Sequence, residues 1–294
     1  MQYSPTAGLG RLIRNSARMG RKYGLEWWIL VGGALIILGV VSMALFAGIL
    51  APYNPHDQNA GPQLAPPSAQ HWLGTDNLQR DVLSRIIFGA RTILGVAILA
   101  AIISSVVGIT MGLMSGYSGG TIDKILSLVM DSVYSFPGLI LAIAFAAMLE
   151  PGIISITVAV AVIYIPTYFR LVRGQTLTIK EELYVEAARA IGAPGITILW
   201  KYIFPNVIAT TAVVFTMNVG DAIMIEAALT YLGLGLPPSV IDWGMDLAMG
   251  KKFLPSGQWW LITFPGAMIS LLALGFTMLG EGLAEILNPR LLEH

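Results

Sequence analysis

The sequence predicts an all-α integral membrane protein with six transmembrane helices. Of its 294 residues, 55% are hydrophobic and only 12% are charged, whereas a soluble globular domain has about 25% charged residues. The mean hydropathy is +0.73, and stretches long enough to cross a hydrocarbon core of about 30 Å recur along the chain. These observations exclude a soluble domain and a disordered chain, because the apolar content is far too high for either.

Six segments qualify as spans, each with roughly 20 mostly apolar residues. They are 27–50, 92–122, 125–149, 151–169, 205–231 and a helix within 253–280. The first is longer than the apolar region of a cleavable signal peptide, which has about 7–15 residues, so we interpret it as an uncleaved anchor. Pro137 and Pro166 lie inside spans and should bend them, and Pro265 should mark an early turn of the sixth.

The distribution of Lys and Arg predicts that both termini are cytoplasmic. With that orientation 12 of the 17 basic residues lie inside, including five in the tail 1–26. Cytoplasmic loops carry the excess of positive charge, so the opposite orientation is disfavoured. The tail 288–294 would then also be cytoplasmic.

An external loop, 51–91, should follow the first span. Five prolines between positions 52 and 67 exclude a regular helix from its first half. In its second half, 76–91, the residues Val82, Leu83, Ile86 and Ile87 recur at helical spacing among charged side chains. This pattern predicts an amphipathic helix on the membrane surface, before a five-helix core over 92–287.

The second predicted span carries small residues at every fourth position. They are Ala100, Ser104, Gly108, Gly112 and Gly116. This spacing places them on one helix face, where small side chains let two helices approach closely in a membrane. Helix packing is the main interpretation, and a pore-lining role is the alternative.

A polar segment, 174–205, joins the fourth and fifth spans on the cytoplasmic side. Glu181 and Glu182 suit the first turn of a helix, and Gly192 followed by Pro194 suits its end. The residues alone predict a short helix across the cytoplasmic surface. They leave open whether it only joins two spans or docks into a cytosolic partner.

Motifs in this segment and along the rest of the chain resemble one known family. The sequences EAARAIG at 186–192 and IFPN at 203–206 look like the EAA loop of ATP-binding-cassette importer permeases, specifically the C-type subunit of the peptide/nickel (dipeptide and oligopeptide) family. Further similar stretches follow in the family's order: APYNP (51–55), HWLGTD (71–76), RDVLSR (80–85), FGAR (88–91), SGYSGG (115–120), RLVRG (170–174), LGLG (232–235), LGEGL (279–283) and NPR (288–290). Gln79, Tyr202 and Phe204 depart from the usual pattern.

The resemblance implies a type I importer permease in the plasma membrane and a role for the loop helix. Its ATPase-coupling residues would be Glu186, Ala187, Ala188, Arg189, Gly192 and Ala193. The implied partners are a homologous second permease, two cytosolic ATPases and an extracytoplasmic substrate-binding protein. ATP and Mg²⁺ would be bound by the ATPases, with no cofactor in this chain.

The sequence itself offers no catalytic or metal site. With no cysteine in the chain, disulfide scaffolds, thiol catalysis and Cys-type zinc sites are excluded, and a net charge of zero disfavours nucleic acid as a partner. The segment 244–252 fails as a phosphate-binding loop, because it has five residues between its glycines and a second Lys where Ser or Thr is required. We therefore expect a transport subunit and not an enzyme.

Two acidic residues in the fifth span, Asp221 and Glu226, are candidates for the translocation path. Charged groups inside a membrane are costly and are commonly functional, and an acidic wall would favour the ammonium group of a peptide. Pairing with a polar neighbour or a partner subunit is the alternative for both. Peptides lead as the transported solute, nickel or oligosaccharides remain open, and a self-sufficient secondary transporter is the competing class.

Overall fold

The computed structural model describes residues 24–286, and this part of the chain confirms the predicted all-α class. Within it, the β-structure amounts to an isolated bridge between Thr75 and Asp81. Most of the two predicted cytoplasmic tails lies outside the described residues, including the five basic residues of 1–26.

Nine helices of at least eight residues make up the described part. They are α1 (Leu25–Leu45), α2 (Val82–Ser118), α3 (Gly120–Tyr134), α4 (Gly138–Met148), α5 (Ile153–Ile179), α6 (Leu183–Ala190), α7 (Phe204–Tyr231), α8 (Trp243–Lys251) and α9 (Trp260–Ile286). Shorter turns occur at Ala47–Leu50, Gly195–Thr197 and Leu254–Ser256, and the turn Ile198–Ile203 is π-helical.

Five of these helices are long and apolar enough to cross a membrane, and a bent pair gives a sixth. The five are α1, α2, α5, α7 with the turns before it, and α9. The third predicted span corresponds to α3 and α4, whose axes differ by 92°. Pro137 is the N-cap of α4, so the bend lies where the proline predicted it. Pro166 and Pro265 lie inside α5 and α9.

The predicted amphipathic surface helix over 76–91 is wrong in its limits and in its surroundings. The segment 76–81 is not helical, and α2 begins at Val82 and continues without interruption through the second span. Asp81 caps it, because its carboxylate accepts the Ser84 backbone N–H at 2.8 Å. Val82 and Ile86 are buried in the protein core, so this apolar face packs against the chain's own external segments and not against lipid.

The most extensive helix contact in the described residues joins α2 and α5. A Cβ atom added to Gly108 would lie 2.5 Å from the Cβ of Tyr168, and one added to Gly112 would lie 2.8 Å from the Phe169 carbonyl oxygen. A Cβ atom added to Gly116 would lie 2.9 Å from the Arg173 carbonyl oxygen. The predicted close helix pair is therefore confirmed, and the small-residue face is closed by α5 and lines no pore.

The helix α1 packs along α9 at the edge of the bundle. The approach is again closest at glycines, since a Cβ on Gly33 would be 2.6 Å from the Gly275 carbonyl oxygen. Only Gly33, Val40 and Ala44 of α1 are buried, and Leu35 and Leu38 are among its exposed residues. An apolar helix that leaves its outer face uncovered suits a lipid-facing anchor.

We expect Gly108→Ala to destabilise the permease by about 1–3 kcal/mol, the usual cost of overpacking. The added methyl meets the Ile165 carbonyl oxygen at 2.7 Å, and backbone cannot move aside as a flexible side chain can. Thermal unfolding in detergent, followed by size-exclusion chromatography, measures the effect. Gly95→Ala is the matched control, because Gly95 is on the same helix and a Cβ there meets nothing within 4 Å. Equal stability of the two variants would contradict this account of the α2–α5 contact.

Candidate coupling site and translocation path

The six residues expected to couple to an ATPase lie on one short helix and the turn after it. The helix α6 carries four of them, and Gly192 and Ala193 follow directly. Glu186, Ala187 and Arg189 are exposed, whereas Ala188 is buried. The predicted helix is thus present, and most of the candidate residues point away from the bundle.

Gly192 ends α6 through a Schellman motif. Its φ is +83°, a left-handed conformation that glycine adopts without strain. The Ala193 N–H donates to the Ala188 carbonyl at 3.0 Å, and the Gly192 N–H donates to the Arg189 carbonyl at 3.0 Å. These two bonds satisfy carbonyls that would otherwise be unpaired at the helix end, so the turn after α6 has a defined geometry.

An apolar cluster fixes α6 against the membrane helices. We call it the loop cluster, and its buried members are Leu113, Val172, Val185, Ile198, Ile203 and Val207. They come from α2, α5, α6, the π-helical turn and α7. Because α6 contributes Val185 at 0% exposure, a displacement of α6 must also move the adjoining ends of three long helices.

Polar contacts add to this attachment. The Asn206 side-chain amide donates to the Tyr202 carbonyl at 2.6 Å and to the Tyr184 hydroxyl at 3.2 Å. On the neighbouring helices, Arg173 pairs with Asp123 at 2.5 Å, which ties α3 to α5. The loop and the ends of these helices therefore form one connected unit.

Sequence reasoning missed an apolar face on the outer side of the loop. Leu183 and Ile191 are 80% and 83% exposed, and Ile196 and Trp200 are also open to solvent. Large apolar side chains left exposed in one short segment indicate a protein interface. The sequence could have indicated this face, because these large apolar side chains occur in an otherwise polar segment and do not follow the spacing of a buried helix face.

The structure places the two candidate path residues in different surroundings. Asp221 is exposed on α7 and has no hydrogen-bond or ion-pair partner among the described residues. Glu226 is fully buried, so in this conformation it lines no surface that a solute could reach. Asp131, another acidic residue in a predicted span, pairs with Arg170 at 2.7 Å on the exposed side of α3 and α5.

The segments that the sequence predicts to be external meet in a polar cluster at the opposite end of the bundle. Arg85 of α2 binds both carboxylate oxygens of Asp246 of α8, and the Trp243 indole N–H donates to the Ile86 carbonyl at 2.8 Å. Burial raises the pKa of the Asp246 carboxyl, while Arg85 acts in the opposite direction. Motifs that are far apart in sequence, RDVLSR and the Trp-Gly at 243–244, therefore converge to hold α8 on α2.

No group of three or more metal-ligating side chains comes together within residues 24–286. His71 instead pairs with Asp81 at 2.9 Å, in the external cluster. His56 lies in the same external loop and is exposed.

The fold and these contacts define a multi-pass membrane protein in which a short loop helix is anchored to the ends of the long helices. Residues 108–293 match the family described as "Binding-protein-dependent transport system inner membrane component", and the chain belongs to this family. It is a membrane protein of several spans that serves as the permease component of a transport system.

Curated relatives align with nearly the whole chain. The dipeptide transport system permease protein DppC of Alkalihalophilus pseudofirmus is 38% identical over 88% of this chain and 85% of its own length. The glutathione transport system permease protein GsiD of Pectobacterium atrosepticum is 38% identical over 91% and 89%. The probable D,D-dipeptide transport system permease protein DdpC of Escherichia coli K12 is 35% identical over 90% of each.

We expect Gly192→Ala to loosen the end of α6 by about 1–2 kcal/mol, the cost of a left-handed conformation for a residue with a Cβ. Steric contact plays no part, because a Cβ at this position meets nothing within 4 Å. Hydrogen exchange of the Ala193 amide should accelerate accordingly, since that amide closes the Schellman motif.

Gly174→Ala serves as the control, because Gly174 lies within α5 with open space around it and alanine favours a helix. Gly192→Asn should be milder than Gly192→Ala, since asparagine tolerates the left-handed region better. Unchanged exchange at Ala193 in Gly192→Ala would contradict the assigned role of the motif.

Proposed function

We propose that this chain is the permease subunit of an ATP-binding-cassette importer that moves peptides inward, with α6 as the element that docks into a cytosolic ATPase. The observation that carries the proposal is the combination at α6 of a buried inner side and an exposed apolar outer side. Val185 fixes the helix to the bundle at 0% exposure, while Leu183 and Ile191 project outward. A helix attached in this way can transmit the movement of a partner to the spans.

The connection from α6 to the membrane is short and rigid. The loop cluster joins α6 to Leu113 of α2 and Val172 of α5, and these two helices are held together along their glycine contact. Packed interiors transmit displacement instead of absorbing it. The closing of two ATPases on ATP would therefore shift the cytoplasmic ends of α2, α5 and α7 together.

The energy for this cycle would come from other chains. A phosphate-binding loop is absent from the sequence, so ATP and Mg²⁺ would be bound by two ATPase subunits. A homologous second permease would complete the path, and an extracytoplasmic binding protein would deliver the solute. The family description, which names a binding-protein-dependent transport system, supports the binding protein. The purified chain by itself should move no solute under an ion gradient, in contrast to a secondary transporter.

The relatives support peptides as the transported class. Their names describe permeases for dipeptides, for glutathione and for D,D-dipeptides, all of which contain peptide-type bonds and charged groups. An exposed carboxylate at Asp221 is compatible with such a solute, because a peptide carries an ammonium group. Nickel or an oligosaccharide would be the outcome to consider if no peptide were transported.

Ile191→Asp tests the docking of α6. The substituted side chain is 83% exposed, so the fold of the permease should be unaffected. Burial of the introduced carboxylate at an interface should weaken ATPase binding by roughly 2 kcal/mol or more, as loss of an interface anchor does. Co-purification of the ATPases and peptide uptake should both fall, while the yield of the permease pair stays normal.

The control is Trp72→Asp, the same kind of change at a large apolar side chain that is 70% exposed in the loop 51–91, outside the helices that can cross a membrane. It should retain its ATPases. Normal ATPase recovery and uptake in Ile191→Asp would refute α6 as the docking element.

Asp221→Asn tests the path assignment separately from docking. We expect lower uptake of peptides with a free ammonium terminus, together with normal assembly and normal ATP hydrolysis, because an exposed carboxylate inside a span is costly unless it faces water or a partner. Uptake assays in vesicles with peptides that have free or acetylated amino termini measure this. An equal effect on both peptide classes would show that Asp221 has no role in recognising the ammonium group.

A further inference from the structure

Two fully buried carboxyl groups face each other where α7 meets the N-terminus of α8. Glu226 and Asp242 are each 0% exposed, and their carboxyl groups lie within hydrogen-bonding reach of each other. Within residues 24–286, no N–H or O–H group donates to either oxygen of Glu226 or to Oδ2 of Asp242. Two ionised carboxylates in this position would repel each other and would leave three buried acceptors without a donor.

A single proton resolves both difficulties. When one carboxyl is protonated, its O–H donates to the other, the repulsion disappears and the interaction becomes a strong hydrogen bond. Paired carboxyl groups that cannot both ionise share a proton in this way. We propose that Glu226 and Asp242 share one proton, and that this hydrogen bond latches α8 onto α7 at the external end of the bundle.

The two carboxyl groups differ in the N–H donors around them, and this difference assigns the proton to Glu226. Oδ1 of Asp242 caps α8, because it accepts the N–H groups of Gly244 at 2.9 Å and Met245 at 3.1 Å. These two N–H groups already occupy Oδ1, so Oδ2 of Asp242 is the oxygen left without a donor. Glu226 has no comparable donor, so it holds the proton and donates to Oδ2 of Asp242.

Other charged groups near the pair do not replace the proton. Asp242 is the charged group that acts on Glu226. Asp246, one turn further along α8, also interacts with Asp242, but it is bound by Arg85 of α2 and lies close to Arg80 of the external loop. These two arginines are thus directed to Asp246, and Arg80 is further paired with Asp76 at 2.6 Å.

The helices are closely packed around the pair, so the hydrogen bond holds α8 firmly against α7. A Cβ on Gly244 would lie 2.2 Å from the Thr230 hydroxyl oxygen and 2.4 Å from the Ala227 carbonyl oxygen, so α8 touches the backbone of α7 directly beside Glu226. Any separation of α7 from α8 must admit water to the pair, which lowers the cost of ionising Glu226 and favours release of the proton. Opening of this contact and loss of the proton are therefore coupled.

The latch gives stability a defined dependence on pH. The folded protein holds a proton that the unfolded chain gives up at neutral pH, so the folded state binds more protons than the unfolded one. Stability from this contact is accordingly greatest at low pH, where Glu226 carries its proton in both states, and it falls as the pH rises and the unfolded chain alone gives that proton up. Glu226→Gln removes this dependence, because the glutamine amide donates permanently to Asp242.

Infrared spectroscopy and thermal unfolding of the purified, assembled permease test the proposal. At neutral pH the wild type should show the absorption of a protonated buried carboxyl group, which shifts in D₂O and is missing in Glu226→Gln. From mildly acidic to mildly alkaline pH, the melting temperature of the wild type should fall relative to that of Glu226→Gln. Glu150→Gln, the same change at an exposed residue in the loop between α4 and α5, should behave as the wild type does.

The proposal is overturned if the wild type lacks the carboxyl absorption at neutral pH, or if the absorption persists in Glu226→Gln. It is also overturned if the two melting temperatures follow pH in parallel. Should the variant fail to assemble, the wild-type spectrum decides alone, because a spectrum without a protonated carboxyl group contradicts the shared proton. These measurements need no transported solute and no ATPase, so they stand whether or not the proposed function is correct.

Discussion

The close contact of α2 with α5 is the interaction on which the rest of the bundle depends. Three glycines on α2 bring its backbone within van der Waals distance of the α5 backbone, which no larger side chain would allow. In a membrane, where lipid is as apolar as the helix surface, such close packing supplies the attraction that the hydrophobic effect supplies in water. The other helices are arranged around this pair.

Both ends of the α2–α5 pair carry a polar or functional structure. At the cytoplasmic end, Gly116 of α2 also accepts a hydrogen bond from the Lys180 ammonium at 3.1 Å, directly before α6. At the external end, Arg85 of α2 holds α8 through Asp246. One rigid pair thus links the loop that we propose as the docking element with the predicted external cover at the opposite end, which is the requirement for a protein that responds on one face to an event on the other.

The sequence predicted the parts that follow from local chemistry. The helical class, the spans, the bend at Pro137, the glycine contact and the end of α6 at Gly192 each depend on residue type and short spacing, and each is present in the structure. The limits of α2 were wrong because the spacing of Val82 and Ile86 shows an apolar face but not what covers it. The cover comes from Trp243, more than 150 residues away, whose indole N–H bonds the Ile86 carbonyl.

The same distinction between local chemistry and distant contacts applies to the candidate site. The loop helix could be found from its motif, whereas the exposed positions of Leu183 and Ile191 depend on how the loop cluster orients α6. For the acidic residues of α7, the sequence identified Asp221 and Glu226 as candidates but did not show that Glu226 meets Asp242. That contact forms only because the segment after α7 folds back, so that the start of α8 lies against α7.

The 92° break between α3 and α4 constrains what can lie against this side of the protein in a membrane. Such a corner interrupts the ladder of main-chain hydrogen bonds, and hydrocarbon offers no substitute partners for the freed peptide groups. Phe136, at the corner, is also 57% exposed. Irregular backbone at membrane depth is tolerated against protein or a water-filled cavity, so we expect this flank to face another polypeptide or a hydrated cleft and not acyl chains.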